Sequence, residues 1–263
     1  MDFSSLELVK VDINEGVAEV RLSRPRALNA INAQMLKELH TAFGALKNDA
    51  SLRCVILTGD GDKAFVAGAD IAEMKDMARD EAHAFSKLGH DLLLLIEDFP
   101  TPVLGAVNGY ALGGGCELAL ACDVLYASER AKFGQPEVKL GLIPGFGGTV
   151  RLSRKVGQSV AAEWIFTGEV YGAQTAREIG LVREVLPAGE LLDRVREIAK
   201  TIAARAPLAI SAAKKAIVKG LATDTAGAIT LEQDIFADLF NTDDMREGTG
   251  AFVEKRDPDF KGK

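Results

Sequence analysis

The 263-residue chain is poor in cysteine, histidine and tryptophan, with three, three and one. Cys54, Cys116 and Cys122 lie in apolar contexts without CxxC spacing. That excludes a small disulfide scaffold and predicts buried free thiols in a reducing compartment. His40, His83 and His90 are scattered, with no HExxH and no His–Cys cluster, so no metal centre is expected. Neither a GxxxxGK[ST] loop nor a strand-linked GxGxxG occurs, which argues against nucleoside triphosphate and dinucleotide sites. Positive charge is in deficit: 31 Lys and Arg face 38 Asp and Glu, a net charge of −7. Such a balance opposes sequence-independent binding to nucleic acid or acidic membranes, and a bound phosphate must be met locally. The longest apolar run, around Leu92–Ile96 between Asp91 and Glu97, is far too short to span a bilayer. The opening residues MDFSSLELVKVDINEG carry acids and strand-like alternation rather than an export signal. A cytoplasmic protein is expected.

With 48% hydrophobic residues the chain can bury a sizeable core, as one large domain rather than two independent ones. Alternation predicts strands over Leu6–Ile13 and Val17–Leu22, then a helix after Asn29 and Asn32 carrying Met35, Leu36, Leu39, Phe43 and Leu46. Cys54–Thr58 reads as a buried strand, followed by a loop, helices over Ile71–Met77 and up to Glu97, and a strand over Pro102–Val107. A helix over Leu112–Ala121, strands at Val124–Ala127 and Lys132–Phe133, and a short helix after Pro136 continue the alternation. Beyond Ser159 strand signals are few and helical spacing dominates. No Ser/Gly linker, low-complexity tract or repeat of fixed length marks a separable module. The expected division is therefore a core over residues 1–195 and a helical subdomain over residues 196–263.

The densest chemistry lies in AVNGYALGGGCELALACD. A helix starting near Gly113 offers bare N–H groups at its first turn, places Gly114 and Glu117 three apart on one face, and lets a ligand approach the main chain. The bland reading is a buried Gly-rich helix start with Glu117 as a reciprocal cap. A second acid, Glu137, follows Pro136 in KFGQPEVKLGLIPGFGGTVRL. It is either a favourable first-turn acid or, among Phe133, Val138, Leu140, Leu142, Ile143 and Pro144, a carboxyl whose pKa is raised toward neutrality. Unequal surroundings would then separate a base, Glu117 kept ionised by donors, from an acid, protonated Glu137. Cys116 reads as packing, since no histidine is near to activate it and neighbouring side chains on a helix diverge.

Taken together, these two segments, SRPRALNAI, FVAGADIAEM, the GLV turn at Gly180–Val182 and the AFVEKRDPDF tail resemble the enoyl-CoA hydratase (crotonase) family over nearly the whole chain. The resemblance implies an α/β spiral of repeated ββα units with a helical C-terminal part, in homotrimers or homohexamers. It implies an acyl-CoA thioester as ligand, with no separate cofactor because coenzyme A is part of the substrate. By resemblance the Ala69 and Gly114 N–H groups hold the thioester oxygen, Glu117 and Glu137 handle the protons, and Gly145 positions water. Arg26, Ala27, Lys63, Phe65, Ala67, Asp70 and Ile71 fall where the family contacts coenzyme A. For Arg26 and Lys63 solvated surface charge is the competing reading, and Lys255 and Arg256 are candidates for reaching a neighbouring subunit's ligand. Both glutamates favour hydration of a trans-2-enoyl-CoA over isomerisation, while a branched or aromatic acyl group remains open. Phe146, Trp164 and Phe166 put bulk where a narrow acyl pocket could form. RNA-binding relatives use a lysine-rich early helix, whereas QMLKELHTAFGALKNDASLR balances few bases with acids.

Overall fold

Glu15 and Gly16, both at positive φ (49° and 77°), join β1 (Val9–Asn14) to β2 (Val17–Leu22). This two-residue turn matches the twist of an antiparallel pair. The computed structural model describes residues 2–263. Asn32 caps α1 (Ala33–Leu46) by accepting from Met35 N at 2.9 Å, and Met35, Leu36, Leu39, Phe43 and Leu46 form its buried face.

Three strand pairs follow. β3 (Cys54–Gly59) and β4 (Ala64–Val66) lead to α2 (Ile71–Met74) and α3 (Arg79–Glu97). β5 (Val103–Val107) and β6 (Tyr110–Leu112) lead to α4 (Gly114–Leu120). β7 (Val124–Ser128) and β8 (Lys132–Gly134) lead to a 3-10 turn, Pro136–Leu140, and α5 (Gly148–Val156). Each pair gives one strand to a six-stranded sheet ordered β1-β2-β3-β5-β7-β10 and one to a four-stranded sheet ordered β4-β6-β8-β9. Neighbours are parallel except β1 with β2 and β8 with β9. The result is the repeating ββα spiral. Between β8's turn and the C-terminal helices lie α6 (Gln158–Thr167), β9 (Val170–Gly172), α7 (Ala173–Glu178) and β10 (Glu184–Leu186).

Both faces of the large sheet are covered at its centre, which is why β3 and β5 are buried along their whole length. Along β3, Val55 and Leu57 face the main core with α1, α3 and α4, whereas Cys54 and Ile56 face α8 (Leu191–Ala203) through Leu191, Val195 and Ala199. Residue 195 falls inside this helix, whose buried residues pack on the sheet. Beyond it come α9 (Pro207–Gly220), α10 (Thr225–Leu239) and α11 (Asp243–Glu254). α9 is tied to the core by buried Lys214, which donates to Asp123 Oδ2 at 2.8 Å and to the Ile96 and Thr101 carbonyls.

Several boundaries differ from expectation. Leu112 belongs to β6, so the glycine-rich helix starts at Gly114, and the Ile71 helix ends at Met74. β4, β6, β9 and β10 are three residues each, too short to carry a period of two and held by their neighbours' ladders.

Candidate active site

The small sheet builds the site. β4, β6 and β8 run parallel as neighbours, and just beyond their C-terminal ends stand Ala69, Gly114 and Glu137. Ile31 pairs across Ala69, donating to Gly68 O at 2.9 Å and accepting from Asp70 N at 2.7 Å. The Ala69 N–H is left turned away from that ladder and donates to no acceptor among the described residues. Gly114 N–H, at the first position of α4, is likewise without an acceptor among them. A Cβ built on Gly114 would stand 3.6 Å from Ala69 N, so two bare donors lie side by side.

Glu117 is 1% exposed, and its Oε1 accepts from Phe146 N at 2.8 Å and Gly148 N at 2.7 Å. Burial nonetheless outweighs those donors and, with Glu137 nearby, pushes its carboxyl up to about 7. Glu137 is half-buried, and desolvation pushes it up to about 6. Both carboxyls are therefore raised from the ordinary 4.5, Glu117 by deep burial and Glu137 by partial burial. The donors were legible in the glycine-rich loop, but the depth of burial they must offset was not. Glu137 Oε1 lies against Gly113, where a Cβ would come within 2.9 Å and φ is +50°. The buried Gln135 amide, turned so that its nitrogen faces the carboxylate, donates to Glu137 Oε1 at 3.1 Å and Oε2 at 3.3 Å.

Gly145 has open space where a side chain would be, its carbonyl accepts from Ser86 Oγ at 2.6 Å, and its N–H has no acceptor among the described residues. The Phe146 ring stands over Gly114, about 3.2 Å from where a Cβ would sit, and packs against Phe85 at 5.3 Å. Trp164 instead stacks on Tyr171 at 4.4 Å within the core, and Phe166 is 78% exposed. Complete burial drives the Cys116 thiol far above its ordinary value, which leaves it protonated and inert.

Of the remaining expected residues, Arg26 and Lys63 line one surface cavity of about 280 Å³ between the Pro25–Ala27 turn and the Asp60–Ala64 loop. Buried Asn29, itself at positive φ, ties these loops by donating to Asp60 O at 3.0 Å and Ala64 O at 2.9 Å. Ala27 and Ala67 are half-buried nearby, with Ala67 N donating to Leu28 O. The Phe65 side chain is fully buried in the core. Asp70 is engaged by Arg24 at 3.1 Å and caps Ala72 N, while Ile71 is 47% exposed.

Sequence reasoning missed Gln135, Ser86, and the pair of buried Arg151 with half-buried Glu97, 2.7 Å apart. Gln135 stood next to Pro136 and Glu137 and was within reach of inspection. Glu97 and Arg151 are separated by 54 residues, and no local pattern links them. Among the described residues no helix is long and apolar enough to cross a membrane.

Residues 12–263 match the family model described as enoyl-CoA hydratase/isomerase. A short-chain-enoyl-CoA hydratase of Clostridium acetobutylicum is 48% identical over 240 residues, spanning 91% of this chain and 92% of the relative. A crotonyl-CoA hydratase of Syntrophomonas wolfei is 45% identical over 257 residues, spanning 98% and 99%. The crystal structure of an enoyl-CoA hydratase from Bacillus anthracis superposes with a TM-score of 0.95 at 40% identity, covering 98% of this chain and 100% of that one. The family match over residues 12–263, with relatives 45–48% identical over 91–98% of the chain, makes this chain a member of the enoyl-CoA hydratase/isomerase family.

Proposed function

We propose that this protein is a hydro-lyase that adds water reversibly across the C2=C3 bond of a short trans-2-enoyl-CoA, giving the 3-hydroxyacyl-CoA. The observation that carries this reading is the convergence of Glu117 and Glu137 on the Gly113–Gly114 turn, beside the free Ala69 and Gly114 N–H groups. Water oxygen bonds to C3 as the C2=C3 electron pair moves toward C1, and the charge gathers on the thioester oxygen. The Ala69 and Gly114 amides meet that oxygen without reorganising. Glu117 takes a proton from the water, and Glu137 gives one to C2. One proton shared by the pair suffices for the cycle, and the product leaves with the pair's proton count restored.

The reactive arrangement has that proton on Glu137, and burial holds both acids near neutrality, at about 6 and 7. Apparent values belong to the pair rather than to either acid. The expected profile of kcat/KM against pH is a bell with its maximum between about 6 and 7. Below the window both acids are protonated and the base is lost; above it both are ionised and the donor is lost. A flat profile from pH 5 to 9 would contradict the shared-proton scheme.

Coenzyme A is assigned to the groove bearing Arg26 and Lys63, with the Ala67–Ile71 backbone along the pantetheine and adenine path. Phe146 over Gly114 supports a short acyl group. Exposed Ile217, Leu221, Ile229, Phe236, Phe240 and Phe252 on α9, α10 and α11 support a homo-oligomer, read as a trimer or a dimer of trimers, with these helices as its contact surface and site cover. The deciding assay follows loss of the conjugated enoyl absorbance across thioesters of increasing acyl length. Turnover falling steeply beyond short chains is expected; no turnover on any chain would refute hydration.

A further inference from the structure

Glu117 does not grip its two amide donors unaided. The loop that supplies them is held from behind by Arg151, which is 7% exposed. Its Nη1 donates to Phe146 O at 2.7 Å, and its Nη2 donates to Glu97 Oε2 at 2.7 Å. The backbone from Phe146 to Gly148 is thus held from two directions: the Phe146 and Gly148 N–H groups face the carboxylate, and the Phe146 carbonyl faces the guanidinium. Gly147 sits between at φ +99°, where a Cβ would overlap Arg151 Nη1. The loop conformation and the arginine therefore require each other. Glu97 ends α3 and fixes the far side of the planar fork, a geometry a lysine cannot reproduce with its single point of charge.

We propose that Arg151, oriented by Glu97, is a positioning residue that acts on Glu117 through the Phe146–Gly148 loop. It touches no substrate. It keeps both amides aimed at Oε1 and supplies the one positive charge that acts on this acid. Glu137 faces Glu117 from the 3-10 turn and raises its proton affinity, while Arg151, from α5, lowers it. His90, from α3, lies beyond Arg151; burial and that arginine both lower its pKa, so it adds no second cation near neutrality. Cys116, beside Glu117, stays a neutral thiol.

The inference rests on Glu117 being the base that activates water, and a merely structural tie between α3 and α5 makes different predictions. In Arg151→Met, kcat should fall roughly 10- to 100-fold through loss of alignment. KM should stay within about twofold, because the thioester amides are untouched. The pH optimum of kcat should move upward by a few tenths of a unit, since a charge opposing protonation of Glu117 is gone. Arg151→Lys should recover most of the optimum's position. Glu97→Gln, which unmasks the arginine charge, should move the optimum downward. In a Glu117→Gln background, adding Arg151→Met should lower the residual rate by less than about twofold, because residues acting as a unit are not additive. Equal losses in both backgrounds, or an unmoved optimum in Arg151→Met and Glu97→Gln alike, would overturn the proposal. Acetyl-CoA affinity reports whether each variant is folded; if Arg151→Met is not, Glu97→Gln and Arg151→Lys carry the test. A wild-type protein inactive on every enoyl-CoA would instead remove the function beneath it.

Discussion

Glu117→Gln is expected to lower turnover about 10²- to 10⁴-fold, the range general acid–base catalysis supplies, and at the same time to stabilise the protein above neutral pH. The amide oxygen of glutamine can still accept from Phe146 N and Gly148 N, so the packing is kept while the ionisable group goes. In the folded state this carboxyl is held near 7, against an ordinary value of 4.5. Between those values the folded protein binds more protons than the unfolded chain. Wild-type stability therefore falls as pH rises from about 4.5 toward 7, and the deficit is complete above it. Glutamine has no such deficit. The difference in Tm between variant and wild type should be small near pH 5, grow through pH 7 and level off by pH 8. Each kcal/mol gained is worth roughly 2–4 °C in a chain of this size. Glu137→Gln should show a comparable loss of turnover with a smaller stability gain, since its value is raised only to about 6. Either variant turning over near the wild-type rate would end the proposed roles. A Glu117→Gln protein that is less stable than wild type at pH 8 would mean the buried charge is not a burden.

Gly115→Ala should be nearly as damaging, by a different route. A methyl group there would overlap the Val66 carbonyl oxygen and crowd Val66 Cβ within 2.7 Å, so α4 and the end of β4 meet at a point with no room for any side chain. Backbone cannot rotate out of the way as a flexible side chain does. The helix must shift, carrying the Gly114 N–H away from Ala69, three residues beyond Val66. Overpacking of this kind costs about 1–3 kcal/mol, and loss of one oxyanion donor costs about 10²–10³ in kcat. Gly44→Ala in α1 is the matched control: nothing lies within 4 Å of its Cβ position, and helix propensity alone makes it neutral or stabilising by up to about 1 kcal/mol. The comparison needs kcat, KM and Tm for both. Wild-type kcat in Gly115→Ala would show that the amide pair does not depend on this contact.

Much of this arrangement is written in local sequence. Asn32 announces α1, the apolar run from Cys54 announces a strand buried on both sides, and the GGG-to-Glu117 spacing places an acid beside bare amides. What escapes is what only the folded chain brings together. Three-residue strands such as β4 and β6 carry no usable period and exist because their neighbours pair with them. Arg151 reads as an ordinary helix-face cation until Glu97 arrives from α3. The relative acidity of the two glutamates depends on desolvation, which for Glu117 is set by elements closing over it. Phe65 lies in a stretch whose family resemblance points to ligand contact, yet its ring is core, and no local pattern tells which atoms of such a stretch face outward.

The three exits of β4, β6 and β8 divide the labour of the site. The first presents the Ala69 amide, the second the Gly114 amide with Glu117 one turn further on, and the third the Glu137 side chain. On the proposed mechanism, a change of residue at the third exit would redirect where protons go while leaving both amides in place. On this scaffold, new acyl-CoA chemistries are reached most readily by altering the segment after β8, and the portions after β4 and β6 are the ones that must stay as they are.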